Sequence, residues 1–212
     1  MNCCDHNQGL NQVFDDKHAE DQVRAYLRRG LDKHARAMAA AAGPLRGAEV
    51  LEVGGGVGGL HLELLRQGAA GAADVDVSAA YLRAAQGLAE RMGLRDRVRY
   101  VQGDFAGLAG GIAPADVVVM HRVVCCYPQM GPLVSAAAEH ARRRLVLSHP
   151  VDTWYARLMV GLGNAYLRLS RSSFRGFVHA QEAIAAAAAA GGLRLAMRRL
   201  SWPWQIAVFE RA

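Results

Sequence analysis

Apolar positions along the chain keep two different spacings. Between residues 10 and 42, apolar side chains such as Val13, Phe14, Val23, Leu27 and Leu31 are separated by charged ones at helical intervals. Gly43-Pro44 ends that region. From residue 49 onward the apolar residues gather in short unbroken runs, at 49–53, 72–77, 98–102, 116–120 and 145–148. Helical patterns at 58–67, 78–92, 131–141 and 180–190 follow most of them. Unbroken apolar strands, rather than alternating ones, predict a parallel sheet buried on both faces by helices. The pattern changes at the end, where 193–200 and 204–211 flank Ser201-Trp202-Pro203 and predict a closing antiparallel hairpin. Residues 150–179 match no strand and are long for a connection, so a functional insertion is expected there. The organisation read from this pattern is a helical arm over 1–43 and one α/β domain over 44–212.

Composition narrows the picture without changing it. A chain of 212 residues, 52% hydrophobic, suits one globular α/β domain. Lys plus Arg exceed Asp plus Glu by 25 to 19, and the arginines are scattered. The densest run, Arg142-Arg143-Arg144, reads as a solvated helix end. A nucleic-acid footprint needs more clustering and interleaved aromatics, so no nucleic-acid partner is expected. A basic chain of this kind suits a small anionic substrate. No stretch reads as a membrane span. The first residues, with Asp5, Asp15, Asp16 and Lys17, lack the apolar centre of a signal peptide, so a cytoplasmic location is expected. The cysteines form two adjacent pairs, Cys3-Cys4 and Cys125-Cys126; free thiols are expected, and neither pair has C-x-x-C zinc spacing. No metal site is expected, and the chain is read as a monomer or homodimer.

The chemistry is concentrated in residues 50–65, VLEVGGGVGGLHLELL. A strand carrying Glu52 runs into the glycine turn Gly54-Gly55-Gly56-Val57-Gly58-Gly59 and then into an amphipathic helix. Glycines allow a sharp turn and let a ligand approach the main chain. The absence of G-K-[ST] excludes a P-loop. A dinucleotide pyrophosphate would be repelled by Glu52, whereas a ligand carrying a sulfonium and an ammonium would be attracted. Asp76 and Val77 follow at the end of the next strand, where a carboxylate can accept bonds from both ribose hydroxyls; Asp74 is the alternative. Asp104 and Phe105 follow the third strand, placed to take an adenine amino group and to cover the base.

In this order the features resemble the class I methyltransferases that use S-adenosylmethionine. Glu52, Gly54, Gly56 and Gly58 match their E/D-x-G-x-G-x-G pattern, and Asp76 and Asp104 match the ribose and adenine positions. The resemblance covers roughly 45–212. It implies a Rossmann-like, mostly parallel seven-stranded sheet with a C-terminal antiparallel hairpin. Within that group the chain resembles the magnesium-protoporphyrin O-methyltransferases, in VVVMHRVVCCYP, LVLSHPVDTWYARLMVGLGNAY and FVHAQEAIAAAAAAGGLRL. Cys126 stands where that family carries a histidine.

What the resemblance implies is methyl transfer to a small-molecule acceptor, with O-methylation of a carboxylate as one form. His121, at the end of the fourth strand, Cys126 and Tyr127 are then the catalytic candidates, and His121 also borders the cofactor. Arg122, Cys125, Tyr155 and His179 are the acceptor-binding candidates. Two alternatives stay open: methylation of a soft nucleophile (thiol, selenol or metalloid) with cysteine participation, and a cofactor-binding module without catalysis. The arm and the 150–179 insertion are both expected over the site at the carboxyl edge of the sheet, with Tyr155, Tyr166 and Phe177 as lid aromatics. Trp202 and Trp204 are expected to pack on the sheet or at a dimer contact.

Overall fold

A computed structural model describes residues 15–211. Two helices, α1 (Asp16–Arg29) and α2 (Lys33–Ala41), precede the first strand. The alternation then runs β1 (Glu49–Val53), α3 (Gly59–Arg66), β2 (Gly71–Asp76), α4 (Ala79–Arg91), β3 (Val98–Gln102) and a short α5 (Phe105–Leu108). It continues with β4 (Ala115–His121), α6 (Met130–His140), β5 (Ala141–Pro150), α7 (Trp154–Leu169) and α8 (Gln181–Ala190). The hairpin β6 (Leu193–Ser201) and β7 (Trp204–Arg211) closes the chain. The strand order is β3-β2-β1-β4-β5-β7-β6. β1 to β5 pair in parallel, and β7 is antiparallel to both β5 and β6.

The unbroken apolar runs arise because both sheet faces are covered. Along β1 and β4, Leu51, Val118 and Met120 point to one core with Leu133 of α6 and Ile184 of α8. Val50, Val117 and Val119 point to the other, with Met38 of α2, Leu62 of α3 and Leu88 of α4. Helix starts are fixed by side-chain caps: Asp15, Asp32, Ser78 and Thr153 accept backbone N–H bonds at α1, α2, α4 and α7. The order reverses at β1, whose neighbours β2 and β4 lead to opposite sides, and such switch points open a crevice at the carboxyl ends of the strands.

Two expectations change. The arginine run is not a helix end but the first part of β5, which starts directly after α6. Polar side chains are tolerated there because the strand begins at the solvated amino edge. Arg143 pairs with Asp116 at 3.4 Å, and Arg144 bonds the Ala41 carbonyl at 3.0 Å and pairs with Glu210. The helical arm divides into two unlike pieces. Helix α1 buries only Ala19 fully; it meets α4 through a small apolar cluster, Ala19 and Val23 against Tyr81 and Ala84, and through polar contacts, Arg83 to Asp16 at 2.7 Å and Gln22 to the Tyr81 hydroxyl at 2.9 Å. Helix α2 belongs to the core, with Met38 wholly buried. Val13, Phe14, Cys3 and Cys4 lie outside the described residues.

The insertion forms α7 and a return over 170–180 that is pinned beside the sheet's carboxyl edge. Asn164 bonds both main-chain groups of Gly176, at 2.9 and 2.8 Å, and Phe177 N–H donates to the Cys125 carbonyl at 2.7 Å. No described helix is long and apolar enough to cross a membrane.

Because α2 is core and α1 is not, Met38→Ala is expected to cost about 2–5 kcal/mol of stability. Deleting residues 1–30 should cost much less. Denaturant unfolding followed by circular dichroism measures both, and equal small losses would show α2 to be a detachable arm.

Candidate active site

A cavity of about 810 Å³ opens at the carboxyl edge, where β1 and β4 lead apart. That lies within the roughly 300–1,000 Å³ usual for small-molecule sites. Its floor is the turn between β1 and α3. Gly54 takes a left-handed φ of 68°, and a Cβ there would sit 2.6 Å from the Val123 side chain. Gly54 N–H donates to the Val75 carbonyl at 2.7 Å, tying the turn to β2. The Asp76 carboxylate holds the same turn from the side, accepting from Gly56 N–H at 2.9 Å and from Ser78 N–H at 2.8 Å. Asp76 remains at the cavity wall, and burial raises its pKa.

Beneath the turn lies a buried charged cluster. Glu52 Oε2 accepts from both the main-chain N–H and the ring Nδ1 of His61, at 3.0 and 2.8 Å. Asp74 is wholly buried beside Gly55, where an added Cβ would strike its Oδ1. Burial pushes Asp74 up to about 8, with Glu52 and Asp76 adding to the rise and His61 opposing it. Burial alone would lower the His61 pKa, but the Glu52 bond and the nearby Asp74 raise it. Glu52 lines the cavity, yet one of its oxygens serves the first turn of α3.

One end of the cavity is formed by Asp104 and Phe105. Asp104 Oδ1 caps α5 at Ala106 N–H, and Oδ2 accepts from the Tyr127 hydroxyl at 2.8 Å. Phe105 is buried, with its ring edge-on to His140 at 5.3 Å. At the opposite end stand His121 and Arg122. Burial, then the Arg122 charge, pushes His121 down to about 4. Arg122 has an unusual left-handed φ of 60°, and its main-chain N–H donates to Ser148 Oγ at 2.9 Å. Its guanidinium bonds Asp32 at 3.0 Å and lies over the Trp204 ring at 5.1 Å. The buried His121 Nε2 and Arg122 Nε have no hydrogen-bond partner among the described residues. Cys125 and Cys126 border the same end with their Sγ atoms 3.7 Å apart. That thiol contact, with burial, raises the Cys125 pKa, and it lowers the Cys126 pKa.

Of the residues expected from sequence, the cavity brings together Glu52, Gly54, Gly56, Asp76, Val77, Asp104, Phe105, His121, Arg122, Cys125, Cys126 and Tyr127. Gly58 lies behind the wall as the left-handed N-cap of α3. His179 is also behind it, its Nε2 donating to the Tyr127 carbonyl at 3.0 Å. Tyr155 is away from the cavity, on α7 against Trp154. Trp204 faces the cavity while Trp202 is exposed. Sequence reading missed Asp32, Tyr26, Gln22 and Tyr81 as wall residues. An Asp two residues before His34 at a helix start signals a cap, which is how Asp32 could have been found.

The buried cluster makes stability pH-dependent. Asp74 and His61 both have raised folded-state values, so the native state holds protons that the unfolded chain releases. Their contribution is full below the unfolded values and is lost as pH rises through about 8. Urea midpoints should therefore fall from pH 7 to pH 9, above the range in which the lowered His121 acts in the opposite sense, and the fall should be smaller in Asp74→Asn. An identical pH slope in the variant would show that Asp74 does not titrate in the folded protein.

Comparison with known proteins agrees with this geometry. Residues 50–146 match the model of a methyltransferase domain. No curated protein matches the chain by sequence. Among solved structures, the magnesium protoporphyrin IX methyltransferase of Synechocystis PCC 6803, solved with bound SAH, superposes with a TM-score of 0.75 at 20% identity. That match covers 98% of this chain and 100% of the other. A structure of the same enzyme with bound SAM gives 0.64 at 22% identity, over 90% of this chain and 84% of that one. An O-methyltransferase family protein from Burkholderia thailandensis gives 0.72 at 18%, over 93% of this chain and 59% of its own. The matched domain contains the glycine turn, Asp76 and Asp104, and the cradle around them fits an adenosyl ligand bearing a cation. The chain has the class I methyltransferase fold, and its residues 50–146 are a methyltransferase domain.

Proposed function

We propose that the acceptor is a small, largely apolar acid and that the methyl group goes to its carboxylate oxygen. The observation that carries this reading is the pair His121–Arg122. A histidine held neutral with its pKa pushed down to about 4 is a poor base for an alcohol or phenol at neutral pH. A carboxylate is already ionised there and needs orientation rather than deprotonation. Arg122 supplies a fixed cation with an unused buried donor, and its left-handed backbone, tied to Ser148, sets the direction of the side chain.

On this reading the cofactor is held by main-chain groups of the glycine turn, by Asp76 at the ribose and by Asp104 with Phe105 at the base. When bound it supplies an electrophilic methyl group on a sulfonium. The chain's own residues orient the two reactants and exclude water. Helix α1 serves as the lid: Gln22 and Tyr26 reach the cavity, while polar contacts hold much of its length. Helix α2 is fixed in the core and carries only the rim residues Asp32 to Arg36.

The cysteine pair favours a second reading. Two thiols 3.7 Å apart at the acceptor end would suit a thiol, selenol or metalloid substrate. A screen with methyl-labelled cofactor against carboxylic acids, amines and thiols separates the two. The carboxylate reading expects label in acids only. It also expects Arg122→Gln to lower kcat/KM by about tenfold or more with cofactor affinity unchanged. Label in thiols or arsenicals that Cys126→Ser abolishes would support the second reading instead. Turnover should stay flat from about pH 6 to pH 8; a limb near 6.5 that His121→Asn removes would make His121 a general base and contradict the proposal. For the cofactor, Asp76→Ala should weaken binding by about 1–3 kcal/mol in calorimetry. Unchanged affinity would remove Asp76 from the ribose site.

A further inference from the structure

Helix α7 is apolar on the wrong side for a surface helix. A helix packed on a domain ordinarily turns its apolar stripe inward and its charges outward. In α7 the inward side, Ala156, Val160, Asn164 and Leu167, is only half-buried, and no residue of the helix is fully buried. Its outward side carries Trp154, Leu158, Leu162, Tyr166 and Leu169, spaced three or four residues apart. Their exposures are 76%, 52%, 58%, 70% and 84%. The five therefore form one continuous apolar stripe facing away from the protein. The stripe is continued by the β6–β7 turn. Val151, just before α7, donates to the Pro203 carbonyl at 3.1 Å, which sets the exposed Trp202 beside the start of the helix.

The segment that carries this stripe is basic, with its nearest acids at its two ends, Asp152 and Glu182. From Thr153 to Gln181 the chain holds four arginines, Arg157, Arg168, Arg171 and Arg175, and no Asp or Glu. Arg157 is neutralised by Asp152 at 2.8 Å, but no ion pair involves Arg168, Arg171 or Arg175 among the described residues. Edge strand β6, which ends at the β6–β7 turn, adds the exposed Arg198 and Arg199, while its Arg194 stands opposite Glu210 of β7. A second copy of the chain laid on this face in two-fold symmetry would bring arginine against arginine. An anionic lipid surface instead accepts both parts: the Trp, Tyr and Leu stripe enters the headgroup–acyl boundary, and the arginines meet the phosphates.

We propose that α7 and the adjoining β6–β7 turn dock this enzyme on an anionic membrane surface, lying in the interface rather than spanning it. The return from α7 is bonded to the wall of the acceptor end, through Phe177 to Cys125 and His179 to Tyr127. Docking therefore sets the acceptor end close to the lipid, where an apolar acid would partition. The docking surface itself is independent of which acceptor is methylated.

The test is flotation of the full-length chain with phosphatidylcholine vesicles and with phosphatidylcholine–phosphatidylglycerol vesicles. Flotation with the anionic vesicles alone is expected, accompanied by a blue shift of tryptophan emission. It should be lost at about 1 M salt, where screening acts over about 3 Å. Arg168→Gln with Arg171→Gln should lower the partition coefficient about thirtyfold. Leu158→Glu with Leu162→Glu should abolish flotation while circular dichroism and cofactor affinity stay unchanged, since both side chains are exposed. Absence of flotation with anionic vesicles would overturn the proposal, as would flotation that the glutamate variant retains. A dimer in sedimentation equilibrium that the glutamate variant splits, without flotation of the parent, would assign the face to a second copy instead.

Discussion

The Asp76 carboxylate fixes the backbone of the glycine turn that follows β1. Its two oxygens accept from Gly56 and Ser78, so one side chain holds both the turn after β1 and the start of the helix after β2. The left-handed Gly54 lets the main chain reverse at the carboxyl edge without striking Val123. Below, Glu52 fixes the first turn of α3 through His61. The cavity floor is thus a stretch of main chain clamped by buried carboxylates. Such a floor is complementary to a cationic adenosyl ligand and poorly suited to a pyrophosphate. The cost is carried by Asp74, whose burial keeps a proton on it to about pH 8.

Burial governs the other end of the cavity in a different way. It removes the charge from His121 and leaves Arg122 as the fixed cation, because guanidinium does not deprotonate in proteins. Asp32 and Trp204 restrain that guanidinium from two sides, and Asp32 arrives on the cap of α2, a core helix. This end of the cavity is therefore built by three separate parts of the chain: the end of β4, the start of α2 and the closing hairpin.

Much of the fold was legible because its signals are local. Unbroken apolar runs, glycine punctuation and the hairpin all follow from periodicity, and the strand positions agree with them to within a few residues. The start of β5 was hidden because three arginines at a solvated sheet edge resemble the solvated end of a helix. The residues of the cavity floor, Glu52, Asp76 and Asp104, were legible as a set because they stand at or near the ends of successive parallel strands, and the sheet brings those ends together. What was hidden depends on distant pairing. The partner of Glu52 is a histidine inside the following helix, and Asp32 meets Arg122 across 90 residues of sequence. Tyr155 looked like a site residue because it follows Trp154 in the matching order, yet α7 turns both outward. The core role of Met38 was concealed by the alanine-rich, half-polar pattern of α2, which reads as an appendage until its packing is seen.

The central claim is that the clamped glycine turn is the binding floor for S-adenosylmethionine. A crystal structure of the chain grown with the demethylated cofactor, S-adenosylhomocysteine, tests it most directly. The account expects the ribose hydroxyls on Asp76, the adenine beside Asp104 and Phe105, and the amino-acid portion over the Glu52 end of the turn. Density for the ligand elsewhere, or its displacement from this floor by a dinucleotide, would contradict the account.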